Sequence, residues 1–231
     1  MNSLAARLYG IIRRPRATFA AILEAPSWAA VLLVTTTITF ACLAAFLNTD
    51  IGRQALVDQW ERTATAFGQT VDDAAYARME ERASTGSAGW LYAAGTALAY
   101  GPGLAGMVAA VLFLALTPRR SYTEVLTVVV YAGVILALRQ IVAVPVNYLR
   151  ESIASPTTLV QFFGMLDEAS PVARFLGVVD LFVVWWIVVL AIGASVLYRR
   201  PVRRLALAFT GVYVMLALLA ALVMAMAGGT A

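Results

Sequence analysis

An all-α integral membrane fold with five crossings is what this sequence predicts, and three observations predict it. Hydrophobic residues make up 61% of the 231 positions, with mean hydropathy +0.82. That exceeds the roughly 45–50% apolar content of soluble domains. The excess is gathered into five runs near 28–47, 90–116, 124–148, 175–198 and 205–227, each of the length that crosses hydrocarbon as a helix. All 17 basic residues are arginine, and ten of them cluster beside alternate runs. The net charge of +4 therefore speaks for membrane topology and not for nucleic acid.

The chain opens with residues 1–27, a cytoplasmic amphipathic segment ahead of the membrane domain 28–231. Its arginines are followed by mixed residues and not by an apolar core, so neither a cleavable signal nor a twin-arginine signal is expected. Leu4, Leu8, Ile11 and Ile12 recur at helical spacing, as do Phe19, Ile22 and Leu23 after Pro15. Two short amphipathic pieces along the cytoplasmic face, broken at Pro15, are predicted. In the first crossing, Thr35, Thr36, Thr37 and Thr39 are tolerated because hydroxyls bond back to their own helix.

The polar stretch 48–88 carries seven acids against four arginines. It reads as a helical outer loop, one or two surface helices broken near Gly68, with Thr85-Gly86-Ser87 as the return turn. The second crossing contains Gly101, Pro102 and Gly103. A kink there serves either close helix packing or a substrate site. Pro145, inside the third crossing, is likewise expected at a kink or a packing contact. The following loop, 149–173, is expected to hold an interfacial helix over Leu159, Val160, Phe162, Phe163, Met165 and Leu166. Ser155-Pro156-Thr157 would start that helix, with proline in its first turn.

Arginine position sets the orientation. Arg13, Arg14 and Arg16 precede the first crossing, Arg119 and Arg120 follow the second, and Arg199, Arg200, Arg203 and Arg204 follow the fourth. Five crossings place all three groups on one side, and arginine-rich flanks stay cytoplasmic. The expected arrangement is a multi-pass protein of the inner or plasma membrane, N-terminus inside and C-terminus outside.

Two charges fall within apolar runs, where an ion costs about 2.5–3.5 kcal/mol on insertion scales. Arg139 lies fifteen residues past Glu124, roughly 22 Å from the cytoplasmic end at helical rise. Asp180 lies eighteen residues before Tyr198, roughly 27 Å up by the same rise. Three arrangements fit: an Arg139–Asp180 pair across the third and fourth helices, snorkelling of each to water, or a water-filled pathway. The tandem Trp185 and Trp186 fit mid-membrane packing or stacking on a ligand.

No histidine is present and Cys42 is the single cysteine. Pairs of Ser or Cys with His and His-ligated metals are thereby excluded. No catalytic residue, cofactor or metal site is expected, and the chain is read as no enzyme.

Particular stretches resemble the Yip1 family of multi-span membrane proteins, in its prokaryotic branch. They are Arg14-Pro15-Arg16-Ala17-Thr18-Phe19, then Ser121-Tyr122-Thr123-Glu124-Val125-Leu126 with Tyr131-Ala132. The fourth run adds Leu176-Gly177-Val178-Val179-Asp180-Leu181-Phe182, a tryptophan, and Ala191-Ile192-Gly193. The resemblance implies a cytoplasmic N-terminal region and five spans. Eukaryotic members are associated with Rab-type GTPases and vesicle traffic, but the N-terminal region here lacks their long acidic arm, so that role is not carried over. The expected function is a non-enzymatic scaffold or partner-binding protein in the lipid bilayer, engaging another membrane protein or a second copy. The alternative is a small transporter or channel subunit built on the polar level of Arg139 and Asp180.

Overall fold

The computed structural model describes residues 3–116, 120–163 and 170–228. The described residues are helical apart from turns and one isolated bridge. Five helical stretches are long and apolar enough to cross a membrane: Ala29–Leu47, Ser87–Ala115, Tyr122–Leu149, Leu181–Tyr198 and Val202–Val223. The chain forms two compact units. Unit 1 comprises Met1–Thr39, Thr96–Arg139 and Phe182–Val212; unit 2 comprises Phe40–Gly95, Gln140–Leu181 and Tyr213–Ala231.

Unit 1 begins with helices α1 (Leu4–Arg13) and α2 (Pro15–Glu24). The Ser3 side chain accepts from the Ala6 N–H and caps α1, and Pro15 takes the first position of α2, where its missing N–H costs nothing. The break at Pro15 falls where proline chemistry predicts it. The apolar stripes serve internal packing: Ile11 and Phe19 are fully buried and Ile22 nearly so, in one core with Val125, Val128, Tyr131 and Ile135.

Helix α3 (Ala29–Leu47) contributes to both units. Thr35 Oγ1 donates to the Val31 carbonyl at 3.0 Å and Thr39 Oγ1 to the Thr35 carbonyl at 3.0 Å, as expected of hydroxyls in an apolar helix. The second crossing is α6 (Ser87–Leu98), a π-helical turn over Ala99–Gly103, and α7 (Leu104–Ala115). Gly101, Pro102 and Gly103 all lie in that turn. The wider turn accommodates a proline that lacks the donor for a regular helical bond. Gly101 faces Thr36 of α3, leaving no room for a β-carbon.

The third crossing is α8 (Tyr122–Ala132) and α9 (Val134–Leu149). Its start is a capping box: Ser121 Oγ accepts from the Glu124 N–H at 3.2 Å, and Glu124 Oε2 accepts from the Ser121 N–H at 2.8 Å. Helix therefore begins at Tyr122, two residues before the expected boundary. The interruption falls at Gly133, while Pro145 sits inside α9 without ending it. This crossing is the most enclosed, with 56% of its most apolar window buried, against 6% for the fifth.

In unit 2 the polar stretch folds as α4 (Asp50–Ala66) and α5 (Asp73–Ser84), turning at Gly68 with φ 75°. The two helices and the break match expectation. They are more than a surface layer, because Ala55 and Leu56 of α4 are buried with Leu43, Phe46, Leu47 and Ala93.

The fourth run departs from expectation. Residues 175–198 are not one helix. Helix α10 (Pro171–Val178) ends, Val179 is extended, and α11 (Leu181–Tyr198) starts after Asp180. A turn of Arg199-Arg200-Pro201 leads into α12 (Val202–Gly228).

Candidate functional site

Asp180 organises the polar centre of unit 2. It stands immediately before the first residue of α11, a position that favours aspartate, and it is 3% exposed. Its Oδ2 accepts from Ser155 Oγ at 2.8 Å and from Thr157 Oγ1 at 2.7 Å. Both hydroxyls come from the turn expected to begin an interfacial helix. That expectation fails because the carboxylate draws the turn inward. Thr158 then forms an antiparallel bridge with Asp180. One 3₁₀ turn, Leu159–Phe162, is all the helix among the described residues between α9 and α10. Phe162 and Phe163 are exposed, and Met165 and Leu166 lie outside the described residues.

The break between α10 and α11 frees backbone groups that hydrocarbon would leave unsatisfied. Four of them are met from within the unit. The Leu159 N–H donates to the Val179 carbonyl at 2.8 Å, and the Leu181 N–H to the Thr157 carbonyl at 3.0 Å. Tyr213 on α12 donates its hydroxyl to the Val178 carbonyl at 2.8 Å and accepts from the Asp180 N–H at 3.1 Å. One phenol thus spans the gap between two helix ends. Irregular backbone at membrane depth is tolerated where protein satisfies it in this way.

Ser155, Thr157 and Tyr213 are the members of this centre that sequence reasoning missed. A tyrosine isolated in an otherwise apolar run was the available signal for Tyr213. Nothing local marked the two hydroxyls, because their role depends on a carboxylate more than twenty residues away.

The other predicted residues are placed as follows. Arg139 lies on α9, half-buried, at the end of the unit 1 segment of that helix. Arg13 closes α1, Arg14 links it to α2 and Arg16 lies in the first turn of α2. Arg120 pairs with Glu124 at 3.3 Å. Arg199 and Arg200 form the turn before α12, and Arg203 and Arg204 lie in its first turn. Arg119 lies outside the described residues. All the described members of these groups belong to unit 1, and the acidic stretch 48–88 belongs to unit 2.

Parts of the stretches that carry the family resemblance, Phe19 and Gly193 among them, meet within unit 1. Phe19 of α2 and Val128 of α8 both occupy the space where a β-carbon on Gly193 of α11 would stand. Phe182 and Trp185 pack together with ring centroids 5.9 Å apart, and Trp186 packs against the same core.

No curated protein and no solved structure matches the chain. The Yip1 domain does, over residues 9–225. That stretch runs from α1 through all five apolar crossings and takes in the Asp180 centre, and the chain belongs to the Yip1 family of membrane proteins.

Proposed function

We propose that this protein is a non-enzymatic membrane scaffold that engages the spanning helices of other membrane proteins or of a second copy. The observation that carries the reading is α12. Only 6% of its most apolar window is buried, and Leu207, Val212, Met215, Leu216 and Leu219 are exposed. Gly211 has no neighbouring atom within 4 Å of where a β-carbon would stand. Ala220 is also exposed. Small residues on an open helix face permit the close approach on which helix association in lipid depends.

The test uses full-length protein in native membranes, with Cys42→Ser and Ala220→Cys. Discrete cross-linked species are expected on oxidation or with a short bismaleimide, and the purified protein should give no solute flux in proteoliposomes. Monomer alone after cross-linking would count against the scaffold. Flux that disappears in Arg139→Ala would replace it with the second reading, a small transporter. That reading has one specific support, a buried carboxylate among hydroxyls beside a helix break, a feature of transporter sites.

The proposal includes an orientation, N-terminus cytoplasmic and C-terminus outside, in the cell membrane. It is supported by the three arginine groups, whose described members share unit 1. In a Cys42→Ser background, Thr230→Cys is expected to react with an impermeant maleimide on intact cells and Ser3→Cys only after permeabilisation. The reverse pattern would overturn the orientation. An Arg139–Asp180 ion pair, expected from helix depth, is also part of the proposal.

A further inference from the structure

A second polar site lies in unit 2, away from Asp180. Helix α5 returns along α4 after the Gly68 turn, and the chain then enters α6. Between them is a cleft of about 670 Å³, lined by Trp60, Arg78, Met79, Arg82, Leu91 and Tyr92 among others. That volume is within the ~300–1,000 Å³ common for small-ligand sites.

The charge of the cleft opposes that of the loop around it. Stretch 48–88 is net acidic, yet two arginines and no carboxylate line the cleft. Asp50, Asp58 and Asp72 are engaged elsewhere. Asp50 pairs with Arg53, and Asp72 caps α5 by accepting from the Ala75 N–H at 2.7 Å. Asp58 accepts from Gln54 at 3.2 Å and from Tyr76 at 3.4 Å. Tyr76 titrates above the ordinary tyrosine range, through burial first and also through Asp58, Glu80 and Glu61, against a hydrogen bond with Gln54 that lowers it.

Arg78 and Arg82 are four residues apart on one face of α5. Among the described residues neither has a carboxylate within salt-bridge distance. The Arg82 guanidinium lies over the Trp60 ring, 5.6 Å from its centroid. Stacking fixes the plane of the guanidinium and leaves its N–H edge to grip an oxyanion.

The cleft also borders an apolar crossing. Leu91 and Tyr92 belong to the first turns of the Ser87–Ala115 crossing. Leu91 is 71% exposed and its neighbour Trp90 47%. An aromatic residue at the end of an apolar crossing marks headgroup level. A ligand here meets two cations on one side and an apolar wall running into hydrocarbon on the other.

We propose that this cleft binds the phosphodiester headgroup of an anionic phospholipid, with Arg78 and Arg82 on the phosphate and Trp60, Met79 and Leu91 against the glycerol and upper acyl chain. A zwitterionic headgroup fits less well, because its own cation would face two arginines with no acid to receive it. Free phosphate would use the arginines but none of the apolar wall.

The test uses full-length protein in neutral detergent. The probes are dihexanoyl-phosphatidylglycerol, dihexanoyl-phosphatidylcholine and inorganic phosphate, followed by tryptophan fluorescence and melting temperature. Saturable binding of the glycerol lipid is expected, at least about tenfold tighter than the choline lipid. Arg78→Gln with Arg82→Gln should weaken it by about a hundredfold, roughly tenfold for each charge-assisted hydrogen bond removed. Arg62→Gln, a loss of one charge on α4 outside the cleft, should leave it unchanged. Melting temperatures without lipid should stay within a few degrees across variants, since both arginines are exposed. Equal affinity for the two lipids, or full affinity in the double variant, would overturn the proposal. Inorganic phosphate binding as tightly as the glycerol lipid would overturn the lipid assignment and leave a free-anion site.

Discussion

Gly193→Leu is expected to abolish recovery of folded protein, and Gly193→Ala to lower its melting temperature in detergent. A β-carbon at 193 would stand 2.6 Å from Val128 Cγ1, 2.9 Å from Phe19 Cζ and 3.0 Å from Phe19 Cε1. Carbon atoms in contact prefer about 3.5–4.0 Å. Neither neighbour has anywhere to go. Phe19 is fully buried and Val128 is 1% exposed, and valine in a helix is held near a single rotamer. Alanine gains about 1 kcal/mol over glycine in helix propensity, while overpacking costs about 1–3 kcal/mol. The net for Ala is a loss of up to about 2 kcal/mol, and Leu has no accessible arrangement. Because Phe19 is the neighbour, Phe19→Leu in the Gly193→Ala background should cost less than the sum of the two single changes. Monodisperse yield and melting temperature decide it. A Gly193→Leu protein that melts with the wild type would refute the packing described for α2, α8 and α11.

Asp180→Ala is the second large effect, a loss of about 3 kcal/mol with Asp180→Asn intermediate. The carboxylate is 3% exposed and takes hydrogen bonds from Ser155 and Thr157. Hydrogen bonds to charged groups contribute about 1.5–3 kcal/mol, and removing the acceptor leaves buried donors to bear their desolvation. Asparagine retains one oxygen that accepts and replaces the other with a donor, so it keeps part of the interaction. Loss of the carboxylate should also loosen the turn 155–158. Protease cleavage in loop 149–173 is expected to quicken in Asp180→Ala before global melting changes in Asp180→Asn. An alanine variant with unaltered melting and cleavage would show that the turn is held without the acid. The proposed ion pair adds one arm. Arg139→Asp combined with Asp180→Arg should recover the yield that each single variant forfeits, and failure to recover any of it counts against the pair.

What the sequence determined by itself was the content that depends on local or bulk properties. Five crossings were legible because crossing length and apolarity are set by the thickness of hydrocarbon. The break at Pro15, the turn at Gly68 and a departure from regular α-helix at Gly101-Pro102-Gly103 were legible because proline and glycine act on their own backbone. The family was legible in stretches spread from Arg14 to Gly193. Tertiary structure alone decided the rest. Residues 175–198 form one apolar run, yet the helix breaks at Val179 because Tyr213, Leu159 and Thr157 arrive from distant positions to satisfy the freed groups. Ser155-Pro156-Thr157 had the local signature of a helix start and became a turn, since a buried carboxylate outweighs one turn of helix propensity. The same holds for the Arg78–Arg82 cleft, whose spacing was visible but whose aromatic wall comes from α4 and α6. Hydropathy is additive along the chain and survives without the fold, whereas satisfying a buried polar atom needs partners whose proximity exists only once the helices have packed.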